Sequence, residues 1–210
     1  MNYSSHCNVS LVSWNTQSLS LFKKSLNSSF NSEKFLTLKK FNVSNLDVIC
    51  LQEIHSSIKD LNRFAKFSLP NKKVIFSCDP ENSYASLAIY FNEKFTLIEH
   101  SHIIPGRLLK IKLNMPNGQY LIIYNVYSFT NNVNESLNLL KLLQSDFISC
   151  ANYPIYICGD FNIDISKTSH LSFMLNDLIS SCNLINLSEK YDISSPTWRG
   201  DGIELHLFQP

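Results

Sequence analysis

Hydrophobic residues recur along the first part of the chain at spacings that distinguish strands from helices. Residues 8–14 alternate apolar and polar positions, a pattern typical of a strand with one covered face. Residues 32–41 have helical spacing, and Asn31 or Ser32 is the predicted start of that helix. Residues 47–54 form a short and nearly continuous apolar run, which predicts a strand covered on both faces.

The middle of the chain contains a series of apolar runs rich in β-branched and aromatic residues. They predict strands at 74–78, 86–91, 95–103, 108–113 and 119–127. Asn117-Gly118 stands immediately before the last of these runs and predicts a hairpin turn.

The last third of the chain alternates helical and strand-like spacing. Apolar residues over 135–149 recur at helical intervals, with Asn134 as the predicted N-cap. Residues 154–158 form a second fully covered strand, and 170–182 again have helical spacing. Strands that lie between helices, with antiparallel hairpins in the middle, predict an α/β fold of stacked sheets flanked by helices.

Composition supports one domain spanning 1–210. Hydrophobic residues make up 44% of the 210 positions, and no Pro/Gly-rich linker interrupts them. The net charge of +1 does not by itself indicate nucleic-acid binding, and the lysine pairs are predicted to be solvated. The six cysteines include no C-x-x-C pair, which argues against a zinc site.

The sequence also predicts a cellular location. Its first residues lack a basic segment followed by a long apolar stretch, and no apolar run has the length of a membrane span. These features predict an intracellular protein, nuclear or cytoplasmic, that is not secreted and has no membrane partner.

Polar side chains stand at the ends of the predicted buried strands. The run at 47–51 leads into Glu53, and a carboxylate there must be solvated, paired or bound to a metal. The run at 154–158 leads into Asp160 and Asn162. Because side chains two apart in a strand share a face, these two are predicted to point the same way while the residue between them enters the core.

The same spacing pairs Asn125 with Tyr127 and Glu53 with His55, and Asn15 closes the first strand. Taken singly, each is most simply a loop residue, a turn former or an edge aromatic. Together they form a set of oxygen donors that suits Mg²⁺ and a phosphate rather than zinc or a covalent nucleophile. The sequence contains neither a G-x-S-x-G elbow nor a G-x-x-x-x-G-K-[ST] loop, which argues against serine hydrolysis and nucleotide triphosphate binding.

An ordered set of segments carries a resemblance to a known family. The segments are SWNTQSL (13–19), DVICLQEIH (47–55), SLAIYF (86–91), IIYNVYS (122–128), PIYICGDFN (154–162) and SPTW (195–198). In this order they resemble the endonuclease/exonuclease/phosphatase superfamily, and most of all the endonuclease domain of non-LTR (LINE-type) retrotransposons. The resemblance implies a four-layer α/β/β/α sandwich with two packed mixed sheets, the last strands of which are missing here.

The resemblance also implies roles for individual residues. Glu53 would be the metal-ligating carboxylate, and Asn15 would help to hold the metal or the phosphate. Asp160 and Asn162 would orient the attacking water and stabilise charge on the scissile phosphate, and Tyr127 would contact the phosphate oxygens.

Further implications concern the substrate, the metal and the partners. Thr197 would lie at the rim against DNA, with Asn125 and His55 also assigned to substrate binding. The implied cofactor is Mg²⁺ (or Mn²⁺). The implied partners are a DNA substrate and, within a longer polyprotein, a reverse transcriptase.

The chain departs from the family pattern after the SPTW segment. The family continues to a segment like S-R-I-D-H-I, whose Asp orients a catalytic His supplied by a final S-D-H motif. Here Leu205 stands where that Asp is expected, with Glu204 beside it, and no S-D-H occurs. Asp201 and His206 are the candidate substitutes. These departures predict a truncated or degenerate copy of the domain.

Three functions follow from these observations. The leading hypothesis is a Mg²⁺-dependent DNA endonuclease that nicks target DNA for retrotransposition. The second is a phosphatase of the same fold that acts on an inositol phosphate or another small phosphate. The third is a non-catalytic remnant or binding module, which the absent Asp and S-D-H motif favour.

Overall fold

The computed structural model describes residues 8–19, 32–43, 46–55, 59, 66, 69, 71–82, 84–190 and 204–209. Its strands are β1 (Leu11–Asn15), β2 (Val48–Gln52), β3 (Lys72–Cys78), β4 (Ser86–Asn92), β5 (Thr96–Ile104), β6 (Leu108–Asn114), β7 (Tyr120–Tyr127), β8 (Ile155–Asp160), β9 (Ile185–Asn186) and β10 (Glu204–Gln209). Its helices are α1 (Ser32–Val43), α2 (Val133–Cys150), α3 (His170–Ser181) and α4 (Leu187–Lys190). None of the helices described is long and apolar enough to span a membrane.

The strands form two mixed sheets. One has the order β1-β2-β4-β3, and the other has the order β5-β6-β7-β8-β10-β9. The pairs β1/β2 and β7/β8 are parallel, and the other neighbours are antiparallel. Parallel neighbours need a crossover connection, and the connections of these two pairs contain α1 and α2.

Three hydrophobic clusters define the layers. Residues such as Cys50 and Ile123 fill the space between the two sheets. Leu38 of α1 packs on the outer face of the smaller sheet. Leu143 of α2 and Leu175 of α3 pack on the outer face of the larger one. The predicted four-layer α/β/β/α sandwich is therefore confirmed, and both faces of β2 are buried as expected for an inner strand.

Most of the predicted elements occur within a few residues of their predicted bounds. The hairpin at Asn117-Gly118 is confirmed, since Gly118 has a φ of 82° and its N–H donates to Met115 O at 2.9 Å. The predicted N-cap of α2 is wrong. Asn132, rather than Asn134, accepts from Glu135 N, because its extended backbone (φ −130°, ψ 91°) places the side chain at the first turn.

Three short elements have no counterpart in the predicted pattern: β9, α4 and β10. β9 and α4 are too short for a periodicity to appear in the sequence. Strand β10 runs antiparallel to β8, with Glu204 opposite Asp160 and Leu205 opposite Gly159. It therefore reaches the end of β8 at which the predicted catalytic residues lie.

The two parallel pairs end at the same edge of the sandwich. Asn15 is aligned with Gln52 at the ends of β1 and β2, and Tyr127 is aligned with Asp160 at the ends of β7 and β8. The pairs also face each other, since β1 contacts β8 and β2 contacts both β7 and β8. The fold thus brings side chains from four strand ends to one place.

Candidate active site

Asn15 joins two carboxylates at this edge. Its Nδ2 donates to Glu53 Oε1 at 2.9 Å and to Asp160 Oδ2 at 2.7 Å. Its Oδ1 accepts from Gln17 N at 3.0 Å, which fixes the direction in which the amide points. Residues far apart in sequence are therefore held around a single amide group.

Burial and, to a smaller extent, the charge of Glu53 affect the Asp160 carboxyl. Its side chain is 7% exposed. Burial raises the pKa of this carboxyl, hydrogen bonds from Asn162 and Asn15 oppose the rise, and the charge of Glu53 adds to it, so that the pKa lies above its usual value. The cluster holds negative charge that a bound cation would stabilise.

Glu53 lies on strained backbone immediately after β2. Its φ is 52°, in the left-handed region that a residue with a side chain seldom adopts. Thr16 Oγ1 donates to both Gln52 O and Glu53 O at 2.9 Å, which holds this conformation. His55 also has a φ of 52°, and its Nε2 lies 3.8 Å from Glu53 Oε2. The predicted pairing of Glu53 with His55 thus results from this bent backbone and not from strand alternation.

Asp160 and Asn162 also reach the same side through a bend. Strand β8 ends at Asp160, and Asn162 has a φ of 51°. Asn162 N donates to Asp160 Oδ1 at 3.0 Å, and Asn162 Nδ2 donates to Ser128 O at 3.0 Å. Phe161 between them is 1% exposed and lies in the core, as expected.

Tyr127 closes the cluster from the end of β7. It is 8% exposed, and its phenol lies close enough to Glu53 for that carboxylate to affect its pKa. Burial raises the pKa of the phenol, and the charge of Glu53 raises it further, whereas the Arg107 guanidinium acts in the opposite direction. The phenol therefore stays protonated at neutral pH and is a hydrogen-bond donor.

An open cleft of about 410 Å³ lies beside this cluster, and Tyr127 is not among the residues that line it. The cleft is lined by Asn15, Gln17, Glu53, His55, Thr130, Asp160 and Asn162. Five of these residues were predicted from the sequence. Gln17 and Thr130 were not, although Gln17 lies inside the SWNTQSL segment and Thr130 lies two residues after the IIYNVYS segment.

The sequence pattern assigns Asn125 to substrate binding, but the structure does not bring it to the cleft. Its side chain is 0% exposed and accepts from Gln52 Nε2 at 2.6 Å. Its Nδ2 donates to Leu51 O and Ala88 O, at 3.0 Å each. Asn125 faces the opposite sheet and joins β7 to β2 and β4.

The remaining predicted residues lie at the end of the chain. Thr197 and Asp201 are outside the described residues. The backbone of Leu205 and His206 lies in β10, opposite Gly159 and Cys158 respectively.

A comparison with protein families agrees with this geometry. The model of the Endonuclease/Exonuclease/phosphatase family matches residues 12–202, which include every residue of the cleft. The chain belongs to this family. Members of the endonuclease/exonuclease/phosphatase family are hydrolytic enzymes that include phosphatases and nucleases, and they typically use divalent metals. No curated protein matches the sequence.

Solved structures share the fold. An endonuclease/exonuclease/phosphatase family protein from Bacteroides thetaiotaomicron has 15% identity and a TM-score of 0.70, over 96% of this chain and 83% of that one. The mannosyl-6-phosphatase of the same organism has 16% identity and a TM-score of 0.68, over 97% and 86%. The human nocturnin catalytic domain, with a bound sulfate, has 18% identity and a TM-score of 0.68, over 95% and 82%. At these identities the likeness shows the fold alone.

The donor set of this family member fits Mg²⁺ better than zinc. Across the part of the chain that the structure describes, no three His, Cys, Asp or Glu side chains converge. Magnesium is commonly held by one or two carboxylates, with water and substrate phosphate completing its six oxygen ligands. The Glu53 carboxylate beside Asn15 meets that requirement, whereas a structural zinc site needs four nitrogen or sulfur ligands.

Proposed function

We propose that this chain is a divalent-metal-dependent phosphodiesterase of the endonuclease/exonuclease/phosphatase family, with DNA as its substrate and Mg²⁺ as its metal. The observation that carries the proposal is the cluster in which Asn15 joins Glu53 and Asp160 beside an open cleft. Two carboxylates held together by one amide suit a cation, and the cation in turn can bind a phosphate.

Each residue has a distinct task in this proposal. Asp160 accepts the proton of the attacking water, and the Asn162 N–H holds its carboxylate in place. The Tyr127 hydroxyl donates to an oxygen of the scissile phosphate, where negative charge increases in the transition state. Glu53 and Asn15 would hold Mg²⁺, which supplies positive charge to the phosphate oxygens when bound.

Two features support DNA as the substrate. The cleft is open, so that a polymer can pass across it without a closed pocket to enter. The LQEIH and SPTW segments resemble those of retrotransposon endonucleases that nick target DNA. The same resemblance supports a reverse transcriptase as the partner within a longer polyprotein.

One observation favours a second candidate, a non-catalytic remnant that binds metal or DNA without turnover. Strand β10 places Leu205 opposite Gly159, at the end of β8 where the family pattern has an Asp. A leucine has no hydrogen-bonding group with which to orient a catalytic histidine.

A substrate panel separates these functions. The purified chain would be incubated with supercoiled plasmid and, separately, with p-nitrophenyl phosphate, each with Mg²⁺ or with EDTA. Nicking of plasmid only with Mg²⁺ supports the endonuclease. Hydrolysis of p-nitrophenyl phosphate alone supports a phosphatase and overturns the proposal. Binding of Mn²⁺ or DNA by the folded chain with no turnover of either substrate supports the remnant.

A further inference from the structure

Arg107 packs against the candidate active site but is not among the residues that line the cleft. Its guanidinium carbon lies 4.5 Å from the centroid of the Tyr127 ring and 4.5 Å from that of the Phe129 ring. A planar guanidinium stacks on aromatic faces in a defined orientation, unlike the compact ammonium of a lysine. Arg107 therefore restricts where the Tyr127 ring can lie.

The backbone of Arg107 is fixed by a tight turn between β5 and β6. Gly106 in that turn has a φ of 70°, and its N–H donates to Ser77 Oγ at 2.9 Å. A Cβ on Gly106 would lie 2.3 Å from Ala85 O, so that only glycine allows this close approach. Arg107 O in turn accepts from Tyr127 N at 2.8 Å. Arg107 is thus held rigidly beside Tyr127 by backbone as well as side-chain contacts.

A second set of hydrogen bonds links Arg107 to the active-site residues at the end of β8. Arg107 Nη1 donates to Ser128 O at 3.1 Å, and Asn162 Nδ2 donates to the same oxygen at 3.0 Å. Ser128 N donates to Asp160 O at 2.8 Å. The Ser128 peptide therefore links Arg107 to Asn162 and Asp160.

The burial of Arg107 has a free-energy cost that packing alone does not explain. Arg107 Nε is buried, and it has no hydrogen-bond partner within the described part of the chain. A buried donor without a partner normally requires an explanation. Positioning of the active-site groups offers one, because the guanidinium contacts the Tyr127 ring directly and Asn162 through the Ser128 carbonyl.

We propose that Arg107 is a positioning residue, which holds the Tyr127 ring by stacking and the Asn162 amide through the shared Ser128 carbonyl. This inference rests on the proposed function, because it assigns a role within the same site. Arg107 touches neither the phosphate nor the metal in this proposal. Arg107 acts through the orientation of Tyr127 and Asn162.

The activity test compares Arg107→Met, Arg107→Lys and a matched control, Lys112→Met. Lys112 also lies over two rings, 5.0 Å from the Tyr120 centroid and 4.0 Å from the Tyr153 centroid, but it is not among the residues that line the cleft. With supercoiled plasmid and Mg²⁺, both Arg107 variants should lower kcat by about 10-fold to 100-fold with little change in KM. Lys112→Met should retain the wild-type kcat. Full activity in Arg107→Lys would show that charge alone matters and would overturn positioning by stacking.

A second readout does not depend on turnover. With 3-fluorotyrosine incorporated at position 127, the wild-type chain should give one fluorine resonance, and Lys112→Met should give the same one. Arg107→Met should shift or split this resonance, because the Tyr127 ring loses its stacking partner. If the Met variant does not fold, Arg107→Lys provides the same comparison. An unchanged resonance overturns the inference. If the wild-type chain fails to nick DNA, the proposed function fails, and this spectrum still decides whether Arg107 positions Tyr127.

Discussion

Replacement of the buried Asn125 by alanine tests whether this residue joins the two sheets or contacts substrate. Its side chain takes part in three hydrogen bonds: it accepts from Gln52 Nε2 and donates to Leu51 O and Ala88 O. Asn125 and Gln52 are both 0% exposed, so no water replaces the lost groups without rearrangement. In Asn125→Ala the two carbonyls lose a donor, and of the two bonds that Gln52 Nε2 donates only the one to Ser13 Oγ, at 3.0 Å, is kept.

The magnitude follows from the number of bonds lost. A hydrogen bond inside a protein contributes on the order of 1 kcal/mol net, so the loss of all three should lower the free energy of unfolding by about 3 kcal/mol. For a domain of this size that change corresponds to a fall in Tm of roughly 6–12 °C. The loss is a large fraction of the stability of a typical domain.

The assay is urea denaturation followed by circular dichroism, with Asn114→Ala as the control. Asn114 stands at the end of β6, and its Oδ1 is buried without a hydrogen-bond partner among the described residues. Because that oxygen makes no bond to lose, Asn114→Ala should cost less than about 1 kcal/mol. A difference between the two variants isolates the contribution of the Asn125 network.

The same variants also address substrate binding. The structural assignment predicts that Asn125→Ala loses stability while its KM for plasmid, measured well below its Tm, stays close to the wild-type value. A variant that keeps its stability within about 1 kcal/mol of wild type and has a raised KM would refute this reasoning. Asn125 would then contact substrate, as the family resemblance implies.

Three further results are expected. In Gly159→Ala the new Cβ would lie 2.0 Å from Val126 O at a φ of 135°, so urea denaturation should show a loss of about 3 kcal/mol or more. Burial alone would raise the pKa of the Asp47 carboxyl, but hydrogen bonds from Lys94 and Ser10 hold it below its usual value. A lowered folded-state pKa stabilises the fold above the unfolded-state pKa of about 3.9. Asp47→Asn should therefore be less stable than wild type at pH 7. This difference in the free energy of unfolding should disappear as pH falls through the folded-state pKa. Asp160→Asn should retain its fold by circular dichroism and lower the rate of nicking by about 10²-fold or more, because an amide cannot accept the proton of water.

The layers of the fold could be predicted because burial leaves a strong pattern in the sequence. Residues 48–51 and 154–158 are apolar on consecutive positions, as an inner strand requires, and they correspond to β2 and β8. The polar residues that follow, Glu53 and Asp160, were predictable as a site because the carboxyl ends of these strands converge. Strand β10 was not predictable, because its pairing with β8 depends on contacts between segments distant in sequence.

Details of the site depend on backbone geometry that residue types do not specify. Glu53 and His55 both adopt a φ of 52°, in the left-handed region that non-glycine residues seldom occupy and that glutamate does not favour. Hydrogen bonds from Thr16 to the carbonyls of Gln52 and Glu53 hold that conformation, and they connect segments 36 and 37 positions apart. The sequence therefore identified five of the seven residues that line the cleft, but not the way in which they reach it.

The stacking of Arg107 on Tyr127 and the burial of Asn125 both result from the way in which the sheets pack. Asn125 and Tyr127 are two apart in β7 and share the inter-sheet side, but only Tyr127 reaches the end of the strand beside Glu53. The stacking of Arg107 on Tyr127 joins the turn before β6 to the end of β7. Such contacts follow from the packing of the sheets and leave no local pattern in the sequence.

The most direct test of the account is Mg²⁺-dependent nicking of supercoiled plasmid by the wild-type chain, Glu53→Gln and Glu99→Gln. Glu99 is a matched control, since its side chain is 55% exposed and pairs with Lys110 on β6, away from the cleft. We expect wild type and Glu99→Gln to nick the plasmid, and we expect EDTA to abolish this nicking. In Glu53→Gln the rate of nicking should be lower by about 10²-fold or more. Equal nicking by Glu53→Gln, or activity that persists in EDTA, would contradict the assignment of this cluster as the metal-dependent site.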